Sequence, residues 1–262
     1  MSAKPFIWQM IKEAVENSTN KEISYKEIKS YINKKWPGEN NNTINCQIIV
    51  CTINAPSRVY YTENYKPRIA DGRYDFLFTI GRGVVQKYDP STHGIWEIHK
   101  NELGKLQVRK VDDAEDITEP DAVGEVKTFT FALESHLRDF IAQHLSHIDE
   151  NLSLYVSDEG VSGVEYKTGV GFIDILTQNK HDEFVIIELK LSRGIDAALG
   201  QLQRYMGWVK KNLSEPNKTV HGIIIAENIN DKLKYAVSVA NNISLFEYEM
   251  AFNTRKAELE QQ

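Results

Sequence analysis

The sequence has few cysteines and no long apolar run, and each absence excludes a class of protein. Its 262 residues include two cysteines, Cys46 and Cys51, which lie five apart within one predicted helix. They match no CxxC zinc spacing and form no disulfide framework, so we expect both to be core thiols. No apolar run approaches the roughly 18 residues that span a bilayer, and MSAKPFIWQM lacks the features of a signal peptide. We therefore expect a cytoplasmic protein with no membrane partner.

The formal net charge of -6 conceals an uneven distribution along the chain. Residues 1–110 hold 17 Lys and Arg against 11 Asp and Glu, whereas residues 111–125 hold seven acids and no base. A basic N-terminal part suits a polyanion such as nucleic acid, although a Lys-rich solvated surface gives the same count. The acidic stretch predicts a linker between an N-terminal domain, residues 1–110, and a C-terminal domain, residues 126–262.

The N-terminal part shows three helical patterns followed by strands. Apolar residues recur at helical spacing from Phe6 to Val15, and Ser24 with Glu27 predicts the capping box of a second helix. A third helix is expected from Thr43 to Ile53. The strand-like runs DFLFTI and GIWEI flank GRGVVQKYDPSTH, which predicts a β-hairpin or a three-stranded wing. This order resembles a winged helix-turn-helix, which would make the segment an α+β DNA-binding domain.

In a winged helix the third helix enters the major groove, where amide and hydroxyl groups meet base edges or phosphates. The loop and wing would add cations for the phosphate backbone. An interaction module, or a wing used only for packing, would produce the same pattern. The candidate DNA-contacting residues are Asn41, Asn42, Thr43, Asn45 and Gln47 on the third helix, with Arg58, Lys66, Arg68, Arg73 and Arg82 beyond it.

The C-terminal part alternates helices with nearly continuous apolar strands. TFTFALESHLRDFIAQHL predicts an amphipathic helix that carries Glu134 near its start. A strand with turns, the strands GFIDIL and VIIELK, and two further helix and strand pairs complete the order αβββαβαβ. Such alternation predicts an α/β sheet whose faces are covered by helices.

Two of these apolar strands carry carboxylates where a lone charge would be costly. Asp174 lies between two isoleucines, and Glu188 lies between Ile187 and Leu189. Two carboxylates on adjacent strands, completed by a backbone carbonyl and waters, form an oxygen-rich site that suits Mg²⁺. Lys190 points to the same face as Glu188 because strand side chains alternate, and it would orient a nucleophile. A structural cluster at a strand end remains the alternative, because an isolated E-x-K is common.

The wider pattern, Asp174 followed after thirteen residues by Glu188-Leu189-Lys190, resembles the core of the PD-(D/E)XK nucleases. GFIDIL, VIIELK and ALGQLQRYMGWV together resemble the C-terminal nuclease domain of the NucS (EndoMS) mismatch endonucleases, from residue 130 to about 250. The resemblance implies that Asp174, Glu188 and the Leu189 carbonyl bind Mg²⁺, with Mn²⁺ as a substitute. It also implies that Lys190 assists the attacking water and that Glu134 supports the metal site.

The same resemblance extends to Gln201 and Tyr205, which match the QxxxY positions of the family on one helical face. A helix surface with a core tyrosine would look the same. The N-terminal part departs from the NucS pattern, in which a β-rich domain binds DNA and dimerises. Substrate recognition therefore does not transfer with the resemblance.

These observations predict a Mg²⁺-dependent endonuclease that acts on double-stranded DNA, with a restriction-endonuclease-like C-terminal core and a winged-helix-like reader. A type II restriction endonuclease fits this layout best, and a homodimer would supply the two active sites that cleavage of both strands needs. A NucS-like mismatch or repair endonuclease is the alternative within the enzymes. A DNA-binding regulator on a non-catalytic nuclease fold is the alternative outside them.

Overall fold

The computed structural model describes residues 4–111, 125–191 and 195–249, with the backbone alone for 125–133 and 195–196. The predicted acidic linker, residues 111–125, lies outside the described residues apart from its first and last positions. Among the helices that the structure describes, none is long and apolar enough to cross a bilayer.

The described part of the N-terminal half contains three longer α-helices, one short α-helix and six short strands, with 3-10 helices at Pro56–Tyr60 and Thr62–Asn64. Their order is α1 (Ile7–Glu16), β1 (Ile23–Ser24), α2 (Tyr25–Lys35), α3 (Asn41–Cys51), β2 (Arg68–Ile69), β3 (Leu77–Gly81), β4 (Val84–Lys87), α4 (Pro90–His93), β5 (Trp96–Lys100) and β6 (Leu106–Lys110).

The three longer helices form where local signals predict them. The Ser24 hydroxyl accepts a hydrogen bond from the Glu27 amide at 3.2 Å, and the Glu27 carboxylate accepts one from the Ser24 amide at 2.7 Å. This reciprocal bonding satisfies amide groups that the first turn of α2 leaves without helical partners. The apolar faces of α1, α2 and α3 bury a common core with residues of β1, β3 and β4, including Met10, Ile28 and Ile48.

The strands that follow α3 belong to two separate sheets. One sheet has the order β1-β4-β3, and its β3–β4 hairpin joins DFLFTI to the middle of the predicted wing. The GIWEI segment forms β5, which pairs with β2 and β6 in the other sheet. The β3–β4 hairpin therefore has β1 as its third strand, and the prediction that GIWEI joins it is wrong.

The C-terminal half is a mixed sheet with helices on both faces. Its elements are α5 (Glu125–Gln143), β7 (Ser153–Leu154), β8 (Val164–Thr168), β9 (Gly171–Gln178), β10 (Phe184–Lys190), α6 (Ile195–Asn212), β11 (Val220–Ala226), α7 (Asp231–Ser238) and β12 (Ile243–Glu247). The strand order is β12-β11-β10-β9-β7, and β8 also pairs with β9. The element order agrees with the prediction, with the short β7 as an addition.

The central strand β10 is apolar on both sides because helices cover both faces of the sheet. Ile186 packs in a cluster with Leu202 of α6, and Ile187 packs in a cluster with Leu137 and Ile141 of α5. Parallel pairing of β10 with β11 and antiparallel pairing with β9 complete its backbone hydrogen bonds. The buried sheet thus provides a rigid support for side chains at the C-terminal end of β10.

The two halves are joined by contacts along α3. The Asn42 amide donates to the Leu154 carbonyl at 2.9 Å, and its oxygen accepts from the Val156 amide at 2.8 Å. The Asn45 amide donates to the Val156 carbonyl at 3.0 Å, and Lys29 of α2 forms an ion pair with Asp158. Helix α3 therefore binds the backbone at the end of β7 and just beyond it.

Candidate active site

Asp174 and Glu188 come together because β9 and β10 are antiparallel neighbours. The pairing runs from Phe184 opposite Gln178 to Ile187 opposite Ile175, so the next step brings Glu188 opposite Asp174. There the Leu189 amide donates to the Asp174 carboxylate at 2.8 Å. This bond fixes the orientation of the Asp174 carboxylate at the end of the strand pair.

Glu188 is a buried carboxylate that is only partly satisfied by protein groups. Its side chain is 1% exposed, Oε1 accepts from the Lys190 ammonium at 2.6 Å, and Oε2 has no hydrogen-bond partner. Burial, with the adjacent Asp174 charge, raises the pKa of Glu188 to about 7. Burial also raises the pKa of Asp174 above its ordinary range. The pair holds negative charge at a cost that a cation would offset.

Lys190 is connected to α6 through a chain of hydrogen bonds. Its ammonium donates to the Gln201 oxygen at 3.3 Å, and the Gln201 amide donates to the Tyr205 hydroxyl at 3.2 Å. Burial acts to lower the pKa of Lys190, but the Glu188 hydrogen bond and the nearby carboxylates outweigh it and raise that pKa. Lys190 is therefore a fixed cation and not a free base in this arrangement. The structure brings together Glu188, Lys190, Gln201 and Tyr205 as the sequence predicts.

Helix α5 brings a further acid and a base toward the carboxylate pair. The Glu134 charge raises the pKa values of Asp174 and Glu188, whereas the Arg138 charge lowers that of Asp174. Arg138 also forms an ion pair with Glu165 of β8 at 2.8 Å. Sequence reasoning missed Arg138, although its position one helical turn after Glu134 was a signal that it shares the same face.

The donor set at this site fits a hard divalent cation. Among the described residues, no three His, Cys, Asp or Glu side chains cluster closely enough to hold a metal by themselves. The site instead offers two carboxylates, one of which has a buried oxygen without a partner. Mg²⁺ suits such a site because it commonly takes one or two carboxylates and keeps waters in its remaining positions. The Leu189 carbonyl remains a prediction as a third ligand.

Three of the predicted DNA-contacting residues lie inside the protein. Asn42 and Asn45 use their amides to bind the Leu154–Val156 backbone, as described above. Arg58 is 1% exposed and forms a buried ion pair with Asp75. Their polar groups are engaged within the chain, so we do not include them in a DNA interface. This corrects the expectation that the whole polar face of α3 meets DNA.

The other predicted contacts are at or near the surface. Lys66, Arg73 and Thr43 are exposed, and the Arg82 side chain is 82% exposed and lies 3.6 Å from Glu159. Gln47 is half-buried beside Glu63, and Arg68 is half-buried with an ion pair to Asp75. Asn41 is exposed at the start of α3. These residues remain candidates for nucleic-acid contact.

Both halves of the chain match family models. Residues 133–257 match the endonuclease NucS C-terminal domain, and residues 6–86 match a domain of unknown function, DUF7669. The chain is 30% identical over 142 residues to an endonuclease NucS of Corynebacterium glutamicum, which covers 53% of this chain and 56% of that protein. It is also 33% identical over 98 residues to an endonuclease NucS of Bifidobacterium longum. That match covers 37% of this chain and 34% of the relative. The chain spans little more than half the length of the first of these relatives.

A solved structure described as an EndoMS complex with double-stranded DNA is also similar. The two sequences are 16% identical. The match covers 65% of this chain and 56% of the chain in that structure, with a TM-score of 0.37. The sequence match covers the sheet that carries the carboxylate pair and its lysine. The C-terminal part of this chain is therefore similar to the C-terminal nuclease domain of the NucS endonucleases.

Proposed function

We propose that the protein is a metal-dependent DNA endonuclease whose C-terminal domain hydrolyses phosphodiester bonds. The observation that carries the proposal is the buried Glu188 carboxylate beside Asp174 and Lys190, within a domain that matches NucS. A buried carboxylate pair with an unpartnered oxygen is costly unless a cation binds it. Functional sites are where such perturbed groups concentrate.

Among DNA endonucleases, we favour a NucS-like repair or mismatch enzyme over a type II restriction enzyme. The curated relatives are described as endonuclease NucS, which supports the repair alternative more than the restriction hypothesis. A type II restriction endonuclease remains the second candidate because of the N-terminal domain. That domain matches a domain of unknown function, and it would determine which DNA is cut. A non-catalytic regulator is disfavoured by the intact acidic pair and lysine.

The proposed mechanism assigns one task to each group of the site. Asp174, Glu188 and the Leu189 carbonyl would hold Mg²⁺, and Mn²⁺ would substitute for it. When bound, such a cation activates water and stabilises charge on the phosphate. The Leu189 amide holds Asp174 in place, while Lys190, oriented by Gln201, supplies a positive charge for the phosphate and the attacking water. Tyr205 in turn positions Gln201, and Glu134 adds negative charge that favours cation binding.

We propose that double-stranded DNA is bound with help from exposed and half-buried residues of the N-terminal half, namely Thr43, Gln47, Lys66, Arg68, Arg73 and Arg82. Cations at such positions neutralise phosphates, and the affinity should therefore fall as salt rises. We also propose a homodimer, because one chain supplies one active site and cleavage of both strands uses two.

The nuclease proposal is tested with substitutions at the carboxylate pair. Asp174→Ala or Glu188→Ala should abolish Mg²⁺-dependent cleavage of mixed plasmid and genomic DNA, because either change removes a metal ligand. DNA affinity measured in EDTA should stay largely intact. Lys190→Ala should also inactivate the protein while metal binding, followed by calorimetry, is preserved. Sequencing the ends distinguishes cleavage at one motif, expected of restriction, from nicks at lesions or mismatches, expected of repair.

Two matched substitutions control for general damage to the nuclease domain. Asp231→Asn changes an acid whose side chain is 86% exposed on α7, and Lys167→Ala changes an exposed lysine on β8. Both variants should cleave as the unaltered protein does. Cleavage at an undiminished rate by Asp174→Ala or Glu188→Ala would remove these residues from the site. DNA binding without cleavage by the unaltered protein would favour the regulator.

A further inference from the structure

Arg138 is a nearly buried base beside the carboxylate pair, and the proposed mechanism leaves it without a task. Its side chain is 12% exposed, and it lies on α5 one helical turn after Glu134. Its positive charge lowers the pKa of Asp174, so the guanidinium lies within electrostatic reach of that carboxylate. A buried cation is costly unless its pairing is complete. The partners of Arg138 therefore indicate what the residue does.

The protein satisfies the Arg138 guanidinium only in part. One terminal nitrogen lies 2.8 Å from the Glu165 carboxylate, whereas Nε is buried and has no hydrogen-bond partner among the described residues. Asp139 Oδ1 is 3.8 Å from Nε, which is too long for a hydrogen bond. Asp139 is instead paired with Lys105 of the N-terminal half at 2.8 Å. The guanidinium therefore keeps a donor that an additional acceptor would satisfy.

Glu165 places this ion pair at the same level of the sheet as the carboxylate pair. Strand β8 pairs with β9 on both sides of Glu165, Val164 with Ile175 and Tyr166 with Ile173. Glu165 therefore lies across from Asp174 on one neighbouring strand, just as Glu188 does on the other. Its backbone has a φ of 50°, in the left-handed region that residues other than glycine seldom adopt and that occurs most often at functional sites.

A phosphodiester is the acceptor that suits a guanidinium in this position. Its two free oxygens accept two parallel hydrogen bonds from an arginine fork. The three acids Glu134, Asp174 and Glu188 would repel such an anion. Lys190 and one divalent cation would offset these three negative charges, and Arg138 would then supply the excess positive charge that a phosphodiester neutralises. The Glu165 carboxylate is 55% exposed, so water can replace Arg138 as its partner.

We propose that Arg138 binds the phosphate that the site cleaves, and that Glu165 holds the guanidinium in place while DNA is absent. On binding, a phosphate oxygen replaces the Glu165 carboxylate as the partner of Arg138. The inference deepens the proposed endonuclease function and rests on it for the substrate. It assigns Arg138 to binding and orienting the phosphate, whereas Lys190 also serves the attacking water. An ion pair that only fastens α5 to β8 is the alternative.

The experiment compares Arg138→Ala with Glu165→Gln in the full chain, because both changes break the same ion pair. A fluorescein-labelled duplex that includes a cut site of the assayed plasmid is bound in EDTA at several salt concentrations. Arg138→Ala should weaken binding about tenfold, because it removes hydrogen bonds between charged groups. The slope of log affinity against log salt should decrease by about 0.9, the value for one phosphate contact. Glu165→Gln should bind at least as tightly as the unaltered protein.

The cleavage kinetics give an independent measurement of the same role. With Mg²⁺, Arg138→Ala should raise KM with little change in kcat, because the lost contact is made before the transition state as well as in it. Dilute guanidinium chloride, below the denaturing range, should restore part of the affinity of Arg138→Ala. It would not repair a misfolded domain. Arg138→Lys keeps the charge without the fork, so its loss should be smaller, and it provides the test if Arg138→Ala fails to fold.

A matched control and three outcomes complete the test. Arg109→Ala removes a half-buried arginine that is paired with Glu97 at 2.8 Å in the other half of the chain, and it should leave affinity and cleavage unchanged. Equal losses in Arg138→Ala and Glu165→Gln would overturn the inference in favour of a structural ion pair. Undiminished affinity in Arg138→Ala would also overturn it, while cleavage by the unaltered protein would leave the nuclease proposal standing. If the unaltered protein neither cuts nor binds DNA, both proposals fail.

Discussion

At the scale of single residues, the burial of Glu188 links the proposed site to the stability of the protein. Its pKa of about 7 lies above the ordinary value of 4.5, so the folded protein retains a proton that the unfolded chain releases between these pH values. The folded state is therefore favoured at low pH, and this contribution is lost as the pH rises toward about 7. A bound cation would restore it.

This linkage predicts a pH dependence that metal removes. In EDTA, the free energy of unfolding should fall between pH values of about 4.5 and 7, by about 1.4 kcal/mol per unit of pKa shift. Glu188→Gln should remove most of this decline, because it has no titrating carboxyl, and Mg²⁺ should diminish it in the unaltered protein. Urea unfolding across the pH range measures both effects. An unchanged decline in Glu188→Gln would assign the linkage to another group.

Arg58 provides a second prediction at the scale of residues. Its guanidinium is buried with Asp75, so Arg58→Ala should destabilise the protein by about 3 kcal/mol. Arg68 and the Gly72 amide also bind Asp75, which keeps the cost near the lower limit for a broken buried pair. Lys66→Ala, at an exposed neighbour, should leave the unfolding midpoint unchanged. Guanidinium unfolding compares the stabilities of the two variants. If Arg58→Ala leaves the free energy of unfolding unchanged, the Arg58–Asp75 ion pair contributes little to stability.

The sequence predicted the acidic pair but not the fate of the polar residues of α3. A carboxylate between isoleucines is conspicuous, and the spacing from Asp174 to Glu188 places both on neighbouring strands. Asn42, Asn45 and Arg58 carry no such local signal. An asparagine or arginine looks the same in the sequence whether its side chain contacts DNA or another part of the protein. Only the tertiary structure shows which of the two contacts it makes.

At the scale of elements, α3 is a connecting helix as well as a surface helix. Asn42→Ala removes two hydrogen bonds to the Leu154–Val156 backbone and leaves the buried Val156 amide unpaired. The expected loss of unfolding free energy is about 1–3 kcal/mol. Asn41→Ala, at the exposed neighbour on the same helix, should cost less than about 0.5 kcal/mol. Chemical denaturation measures the unfolding free energy of both variants. Equal losses would contradict the role of Asn42 in joining α3 to the C-terminal half.

The elements also divide into those that local sequence determines and those that it does not. The capping box of Ser24 and Glu27 was predictable because both partners lie within one helical turn. The pairing of GIWEI with β6 was not, because a strand pattern specifies alternation but not a partner. The same limit explains why β1, two residues long, was missing from the predicted wing.

At the scale of the whole molecule, the two halves share packing as well as hydrogen bonds. Tyr60 and Tyr61 pack against the cluster that contains Leu137 and Ile187, and Lys105 forms an ion pair with Asp139 at 2.8 Å. We therefore predict one cooperative thermal transition for the full chain, with equal calorimetric and van't Hoff enthalpies. Asn42→Ala should shift that transition as a unit. Two separate transitions in the unaltered protein would show that the halves unfold independently.

The asparagine contacts of α3 have a consequence for how such proteins diversify. A nuclease domain moved onto an unrelated N-terminal partner would lose the side chains that bind its Leu154–Val156 backbone. Recombination at the acidic segment would then produce a chimera in which the Leu154–Val156 backbone is uncovered and some of its hydrogen-bonding groups have no partner. New specificities should therefore arise more readily by substitution on the outer face of α3 than by exchange of whole domains.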